Sequence, residues 1–191
     1  NALLQRKLAK TALLTTAGFR DAIEIRRSQL RDQWDLRAPL PPVLVPRHLR
    51  FGVGERVDSQ GEVVLPLDLD RLAETAAALR REGVEAVACC LLFSFKNPCH
   101  EEAVKKFLQR QLPDVYISLS SEVAPKIKEY ERTSTTVLNA CLGPLVSRSL
   151  NRLAEELRAA GLTAPLFYMQ NNGGLSDATA STSLPVRMLM S

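Results

Sequence analysis

Residues 8–16 form a run of apolar and β-favouring positions, and Thr15-Thr16-Ala17-Gly18 turns it into residues 19–27, where Phe19, Ala22 and Ile23 share one side at helical spacing. Strand followed by helix is the prediction. Pro39, Pro41, Pro42 and Pro46 make the next stretch an extended connector, since each ring fixes φ and pushes its predecessor out of the α region. Residues 49–57 and 62–66 flank Asp58-Ser59-Gln60-Gly61 and predict a β-hairpin at an edge, with glycine in the left-handed turn position. Asp68 or Asp70 caps a helix whose Leu69, Leu72, Ala73, Ala76 and Leu79 lie on one face, and Gly83 stands where a helix-ending glycine belongs. The unbroken apolar run 84–95 suits a parallel strand covered on both faces. Asn97 and Pro98 start a further helix striped by Val104, Phe107, Leu108 and Leu112 and stopped by Pro113, and 115–120 is another strand.

Residues 129–136 read Glu-Tyr-Glu-Arg-Thr-Ser-Thr-Thr, and Leu138, Leu142, Val146, Leu150, Leu153 and Leu157 then keep helical spacing. Gly143-Pro144 predicts a kink and Gly161 the end of this helix. Residues 165–169 read as a strand closed by Gln170-Asn171-Asn172-Gly173-Gly174, and 186–190 as a strand-like run. The alternation predicts an α/β fold with a mixed, partly parallel sheet flanked by helices.

Composition adds exclusions. The chain has 191 residues, enough for one large or two small domains with a core, and 46% hydrophobic against 24% charged residues is an ordinary soluble globular balance. The net charge of +4 is built from interspersed signs, as in Asp70, Arg71, Glu74, Arg80, Arg81 and Glu82, so no single-sign field supports nucleic-acid binding. Apolar runs fall short of the roughly 20 residues that span a bilayer. Cys89, Cys90, Cys99 and Cys141 form no CxxC pair, and His48 and His100 are the only histidines, which argues against structural zinc and for a reducing, cytoplasmic setting. Asn1 and the run before Ser191 suggest a segment of a longer protein.

Candidate chemistry clusters in a few places. Three charges, a phenol and four hydroxyls in 129–136 exceed what one helix cap needs. Glu131, Arg132, Thr133 and Thr135 therefore read either as a polar rim contacting substrate or nucleotide at a helix N-terminus, or as an elaborate cap with an internal Glu–Arg pair. Arg20 and Asp21 stand on a turn after a strand, where α/β folds place ligands; with Glu24, Arg26 and Arg27 they also read as a solvated helix face paired as Arg20 with Glu24. Asn171, Asn172, Gly173 and Gly174 either bring backbone amides close to a ligand or make a tight turn before Asp177 caps a helix. His100, in a first helical turn, reads as a surface or capping residue, with a metal or catalytic role as the alternative.

Five ordered stretches resemble the hydantoinase A and 5-oxoprolinase family: Asn1-Ala2-Leu3-Leu4 with Lys10-Thr11-Ala12-Leu13; Gly18-Phe19-Arg20-Asp21 with Glu24-Ile25; Asn97-Pro98-Cys99-His100-Glu101; residues 129–136; and Met169-Gln170-Asn171-Asn172-Gly173-Gly174. The resemblance implies an actin-like (ribonuclease H-like) ATPase architecture and ATP-dependent opening of cyclic amides such as hydantoin, N-methylhydantoin or 5-oxoproline. Related members are subunits of ATP-dependent ketone carboxylases, which leaves a scaffold or carboxylase subunit as the second reading. It implies ATP and Mg²⁺ as cofactors, a hydantoinase B-like partner subunit and an oligomer. It also implies a division into 1–125, the end of the family's N-terminal domain, and 126–191, the start of its catalytic domain. The family's two glycine-rich phosphate loops are expected before Asn1 and after Ser191, so the isolated segment is expected to lack ATPase activity. The family resemblance also favours a functional role for Glu131, Arg132, Thr133 and Thr135. Asn171 stands where the family usually has Ser, and Phe93 where it often has His.

Overall fold

A computed structural model describes residues 2–27, 34, 35, 37 and 42–189; Asn1, Pro39, Pro41, Met190 and Ser191, which carry parts of the predicted motif, connector and final run, lie outside the described residues. In chain order the strands are β1 (Thr11–Thr16), β2 (Arg50–Val53), β3 (Arg56–Val57), β4 (Val63–Leu65), β5 (Ala86–Cys90), β6 (Tyr116–Leu119), β7 (Tyr168–Met169) and β8 (Leu175–Ser176). The α-helices are α1 (Ala22–Ile25), α2 (Leu69–Arg81), α3 (Cys99–Gln111), α4 (Ser120–Val123), α5 (Glu129–Ala159) and α6 (Ala178–Ser183). Short 3₁₀ turns cover Arg47–Leu49 and Pro185–Met188.

The main sheet has the order β2-β1-β5-β6, and every pairing in it is parallel. All residues of β1 and β5 are buried, as strands covered on both faces must be. Two helix groups do the covering: α2 packs with α3, and α5 packs with α1, both against the strands. Leu13, Leu14, Val87, Leu72, Leu79, Val104, Leu108, Val137 and Cys141 belong to the resulting core. Among the described residues antiparallel pairing is confined to two hairpins, β3 with β4 and β7 with β8. The α/β class with partly parallel pairing is what the periodicity predicts.

Local signals also hold where the chemistry is local. Asp68 caps α2 by accepting from the Arg71 N–H at 3.0 Å, and Gly83 follows the helix at φ +62°. Asp177 caps α6 in the same way, accepting from the Ala180 N–H at 2.7 Å. Where tertiary contacts intervene, the elements shift. The predicted strand 49–57 divides at Gly54-Glu55: β2 joins the main sheet beside β1, and only β3 forms the hairpin. The predicted strand 84–95 ends at Cys90, because side chains capture the backbone of Leu91, and the chain turns through Phe93 at φ +55°. Residues 185–188 form a 3₁₀ turn, not a strand. Leu69, assigned to the buried stripe of α2, is exposed; burial starts at Leu72.

Residues 129–136 are the first two turns of α5 rather than a cap before it. The N-cap position is Lys128, at φ +86° and without a side-chain cap bond. Gly143-Pro144 lies inside one continuous 31-residue helix, with Gly143 packed against the ring of Tyr116.

Candidate functional site

Strand order reverses at β1, whose neighbours β2 and β5 lie on either side, so the carboxyl ends of β1 and β5 flank the crevice where open α/β sheets place ligands. In this chain the crevice is filled by its own carboxylates. Thr16 donates its hydroxyl hydrogen to Glu55 and accepts from the Leu92 N–H at 3.0 Å. The other oxygen of Glu55 lies 2.8 Å from His100 Nδ1. Both residues are buried, so His100 is held in a hydrogen-bonded pair inside the molecule and is not a surface residue.

Glu101, at 0% exposure, joins three elements. One carboxylate oxygen accepts from the Leu91 N–H at 2.9 Å and the Ser120 hydroxyl at 2.6 Å; the other accepts from Ser121 N–H at 2.9 Å and its hydroxyl at 2.7 Å. A buried carboxylate is tolerated when such donors replace its hydration. Here it ties the ends of β5 and β6 to the first turn of α3.

Arg132 completes this network from α5. Its Nη2 donates to Leu91 O at 2.7 Å, its Nη1 to Ser94 Oγ at 2.9 Å, and its guanidinium lies 5.3 Å from the Phe95 ring centre. Ser94 Oγ is in turn 3.0 Å from Ser120 Oγ, so Arg132 and Glu101 are linked through two hydroxyls. Arg132 Nε and Glu129 Oε1 are both buried without a hydrogen-bond partner. Burial pushes the Glu129 carboxyl above its usual range, and the Arg132 charge opposes that shift.

The four residues proposed together on this helix separate by direction. Arg132 and Thr133 point into the core, Thr133 donating to Cys90 Sγ at 3.1 Å. Burial raises the Cys90 thiol, and Arg132 and Thr133 work against it. Thr135 is half-buried and donates back along the helix to Glu131 O at 2.8 Å, as Thr136 does to Arg132 O at 2.7 Å. Glu131 is exposed and pairs with Arg27 at 2.5 Å, not with Arg132. Three of the four hydroxyls are thus spent on helix carbonyls and the core.

Arg27 also brings the second motif beside the fourth, since α1 packs on α5. Asp21 is gripped by Arg47, whose Nε and Nη2 donate at 3.1 and 2.9 Å, and is approached by Arg50 at 3.3 Å. The Arg47 hydrogen bonds, then the nearby positive charges, hold its carboxyl below the usual range. Glu24 pairs with Arg50 at 2.7 Å rather than with Arg20, and Arg20 has only a long contact of 3.8 Å to Asp21. Asn171, Asn172, Gly173 and Gly174 form the exposed turn of the β7–β8 hairpin: Asn172 Oδ1 accepts from Gly174 N–H at 2.9 Å, and Asn171 N–H donates to Arg187 O at 2.9 Å. Sequence reasoning missed Glu55, Arg50 and Ser94, and also Asn139, which on α5 donates to Ser118 Oγ at 2.9 Å and accepts from the Val186 N–H at 3.1 Å. Arg50 inside an apolar run was a usable signal, because buried arginine implies a fixed partner.

These residues do not make a site for a metal ion. Among the described residues no cluster of three metal-ligating side chains occurs, and the acceptors of Glu101 are saturated by the chain's own donors. No helix among the described residues is long and apolar enough to cross a membrane.

A parallel α/β sheet with its carboxyl edge closed by side-chain networks is the class defined so far. Family models place it further: residues 1–112 match the hydantoinase/oxoprolinase N-terminal region and 132–191 match hydantoinase/oxoprolinase, so the chain belongs to the hydantoinase/oxoprolinase family. It is 37% identical over 193 residues to caprolactamase subunit alpha of Pseudomonas jessenii, covering 100% of this chain and 28% of that protein. The crystal structure of ATP-dependent caprolactamase from Pseudomonas jessenii superposes with a TM-score of 0.88 at 36% identity, over 98% of this chain and 28% of that one. A nucleotide-free acetone carboxylase structure gives 0.86 at 28% identity, over 100% of this chain and 28% of that one. The chain therefore spans just over a quarter of the length of these relatives.

Proposed function

We propose that the protein carrying this chain is a cytoplasmic, ATP-hydrolysing enzyme that opens cyclic amides. The observation that carries this reading is the joint sequence and structural likeness to the caprolactamase alpha subunit across essentially the whole chain. An amide in a ring is a poor electrophile; transfer of the γ-phosphoryl group to its oxygen would activate the ring carbon, so that water adds there, the C–N bond breaks with the nitrogen leaving as a protonated amine, and the resulting acyl phosphate is hydrolysed to carboxylate and inorganic phosphate. ATP and Mg²⁺ would supply that activation from loops outside residues 1–191. This chain's share is positional. The Arg132–Ser94–Ser120–Glu101 network fixes the head of α5 against the loop after β5, so that Glu131 and the charges just before α1, Arg20 and Asp21, present a polar rim. The turn at Asn171, Asn172, Gly173 and Gly174 faces the same assembled enzyme as an exposed hairpin tip, its Asn171, Gly173 and Gly174 amides being bonded within the chain. A division near residue 125 and a partner subunit belong to this reading.

The acetone carboxylase likeness supports a second reading, a subunit of a ketone carboxylase. A substrate panel on the full-length protein decides between them: caprolactam, 5-oxoproline and hydantoins, then acetone with bicarbonate, each with ATP and with and without a candidate partner subunit. Ring opening coupled to phosphate release supports the first reading, and carboxylation without ring opening replaces it. Purified 1–191 alone is expected to release no phosphate from ATP.

A further inference from the structure

Beside the Asp21 cluster lies an open cavity of about 560 Å³ lined by Arg20, Arg47, His48, Arg50 and Phe51, a size within the range that small-molecule sites occupy. Its charges do not cancel. Three guanidiniums face two carboxylates, Asp21 and Glu24, which leaves a net positive site.

The donors are also unequally committed. The Arg50 side chain, 1% exposed, forms a fixed floor: Nε donates to Val45 O at 3.0 Å and Nη1 to Glu24 at 2.7 Å. Arg47 is aligned by its two-point grip on Asp21, which uses Nε and Nη2 and leaves Nη1 over. Among the described residues Arg20 finds no hydrogen-bond acceptor, its 3.8 Å approach to Asp21 being beyond hydrogen-bond reach. Arg20 and His48 are exposed at the rim. Asp21 and Glu24 thus orient two arginines, while Arg20, Arg47 Nη1 and the His48 ring keep donors for something else. Guanidinium groups match the paired oxygens of a phosphate or carboxylate, and Phe51 supplies an apolar wall for the body attached to it.

We propose that this cavity binds the oxyanion of a small organic molecule, with Arg20, Arg47 and His48 contacting the anion and Phe51 its apolar part. The inference rests on the cavity's own geometry, not on the ring-opening reading, and its failure leaves that reading standing.

The test is calorimetric titration of the full-length protein with inorganic phosphate, with phenylacetate, and with uncharged phenylacetamide. Binding of either anion at millimolar strength or better, with phenylacetamide at least about tenfold weaker, is expected. Which anion binds tighter identifies phosphoryl or carboxylate as the natural group. Arg20→Gln, at an exposed position, and His48→Ala are each expected to weaken the anion about tenfold, as loss of one hydrogen-bonding contact to it does. The proposal is overturned if neither anion binds at about 10 mM, if phenylacetamide binds equally well, or if both variants bind like the parent.

Discussion

Gly143→Ala tests whether tertiary packing or helix propensity governs the middle of α5. Inside a helix, alanine is ordinarily favoured over glycine by about 0.8–1.0 kcal/mol. At this position a Cβ would stand 2.3, 2.4 and 2.5 Å from three ring carbons of Tyr116, where ordinary contact begins near 3.4 Å. One side must move by about 1 Å. Tyr116 cannot swing away freely: its hydroxyl donates to Thr182 O at 2.8 Å, with Ser183 O at 2.9 Å, and β6 starts at its backbone. Overpacking of this kind costs about 1–3 kcal/mol, and a lost buried hydrogen bond adds about 1 kcal/mol. Set against the propensity gain, the expected net loss is about 2 kcal/mol, read as a lower urea midpoint by circular dichroism with an unchanged slope. In a Tyr116→Ala background the ring is gone, and Gly143→Ala should become neutral or stabilising. The reasoning fails if Gly143→Ala is as stable as the parent chain, or if its cost persists without the ring.

Glu101→Ala leaves the Leu91 and Ser121 amides without their acceptor, and at about 1–3 kcal/mol per buried unsatisfied donor it is expected to lower unfolding free energy by about 2–6 kcal/mol in the same urea assay. Of the four cysteines only Cys99 is exposed, and burial raises the thiols of Cys89, Cys90 and Cys141, so a thiol reagent should modify one site quickly in the native chain and four after unfolding. Burial raises Tyr116 to about 12, against the Asn139 hydrogen bond that lowers it. Because the folded state holds the proton more tightly, that contribution is complete below about pH 10 and is lost as pH rises toward 12, a fall of about 2–3 kcal/mol. Absorbance titration near 295 nm should show a late phase that disappears in Tyr116→Phe.

Much of the framework was legible because its causes are local. The 3.6-residue stripes, the caps at Asp68 and Asp177 and the glycine after α2 act within a few residues of themselves. What escaped depended on distant partners. No periodicity marks Leu91 as the end of a strand, since its amide is taken by Glu101 and its carbonyl by Arg132, 41 residues away. Likewise Glu55 sits in a stretch that reads as hairpin, and its burial follows only once Thr16 and His100 converge on it. In the candidate site, the proximity of α1 to the head of α5 was not readable from spacing, because neither element shows where the sheet will set it.

The same facts change how variants at the α5 motif must be interpreted. Arg132 looked like a group reaching for a ligand, yet both its Nη atoms end on the loop after β5, and it is 3% exposed. Removing it takes one charge-assisted donor from Ser94 Oγ and one from the Leu91 carbonyl, a loss of about 2–4 kcal/mol that would abolish turnover in a marginally stable enzyme without any contact to substrate. Arg132→Lys separates the two roles. Lysine keeps the charge but not the two-point geometry, so a positioning role predicts a lower urea midpoint together with a fall in kcat and little change in KM. A direct substrate contact predicts the reverse, an unchanged midpoint with the loss carried in KM, and that outcome would show that the arginine turns outward in the assembled enzyme.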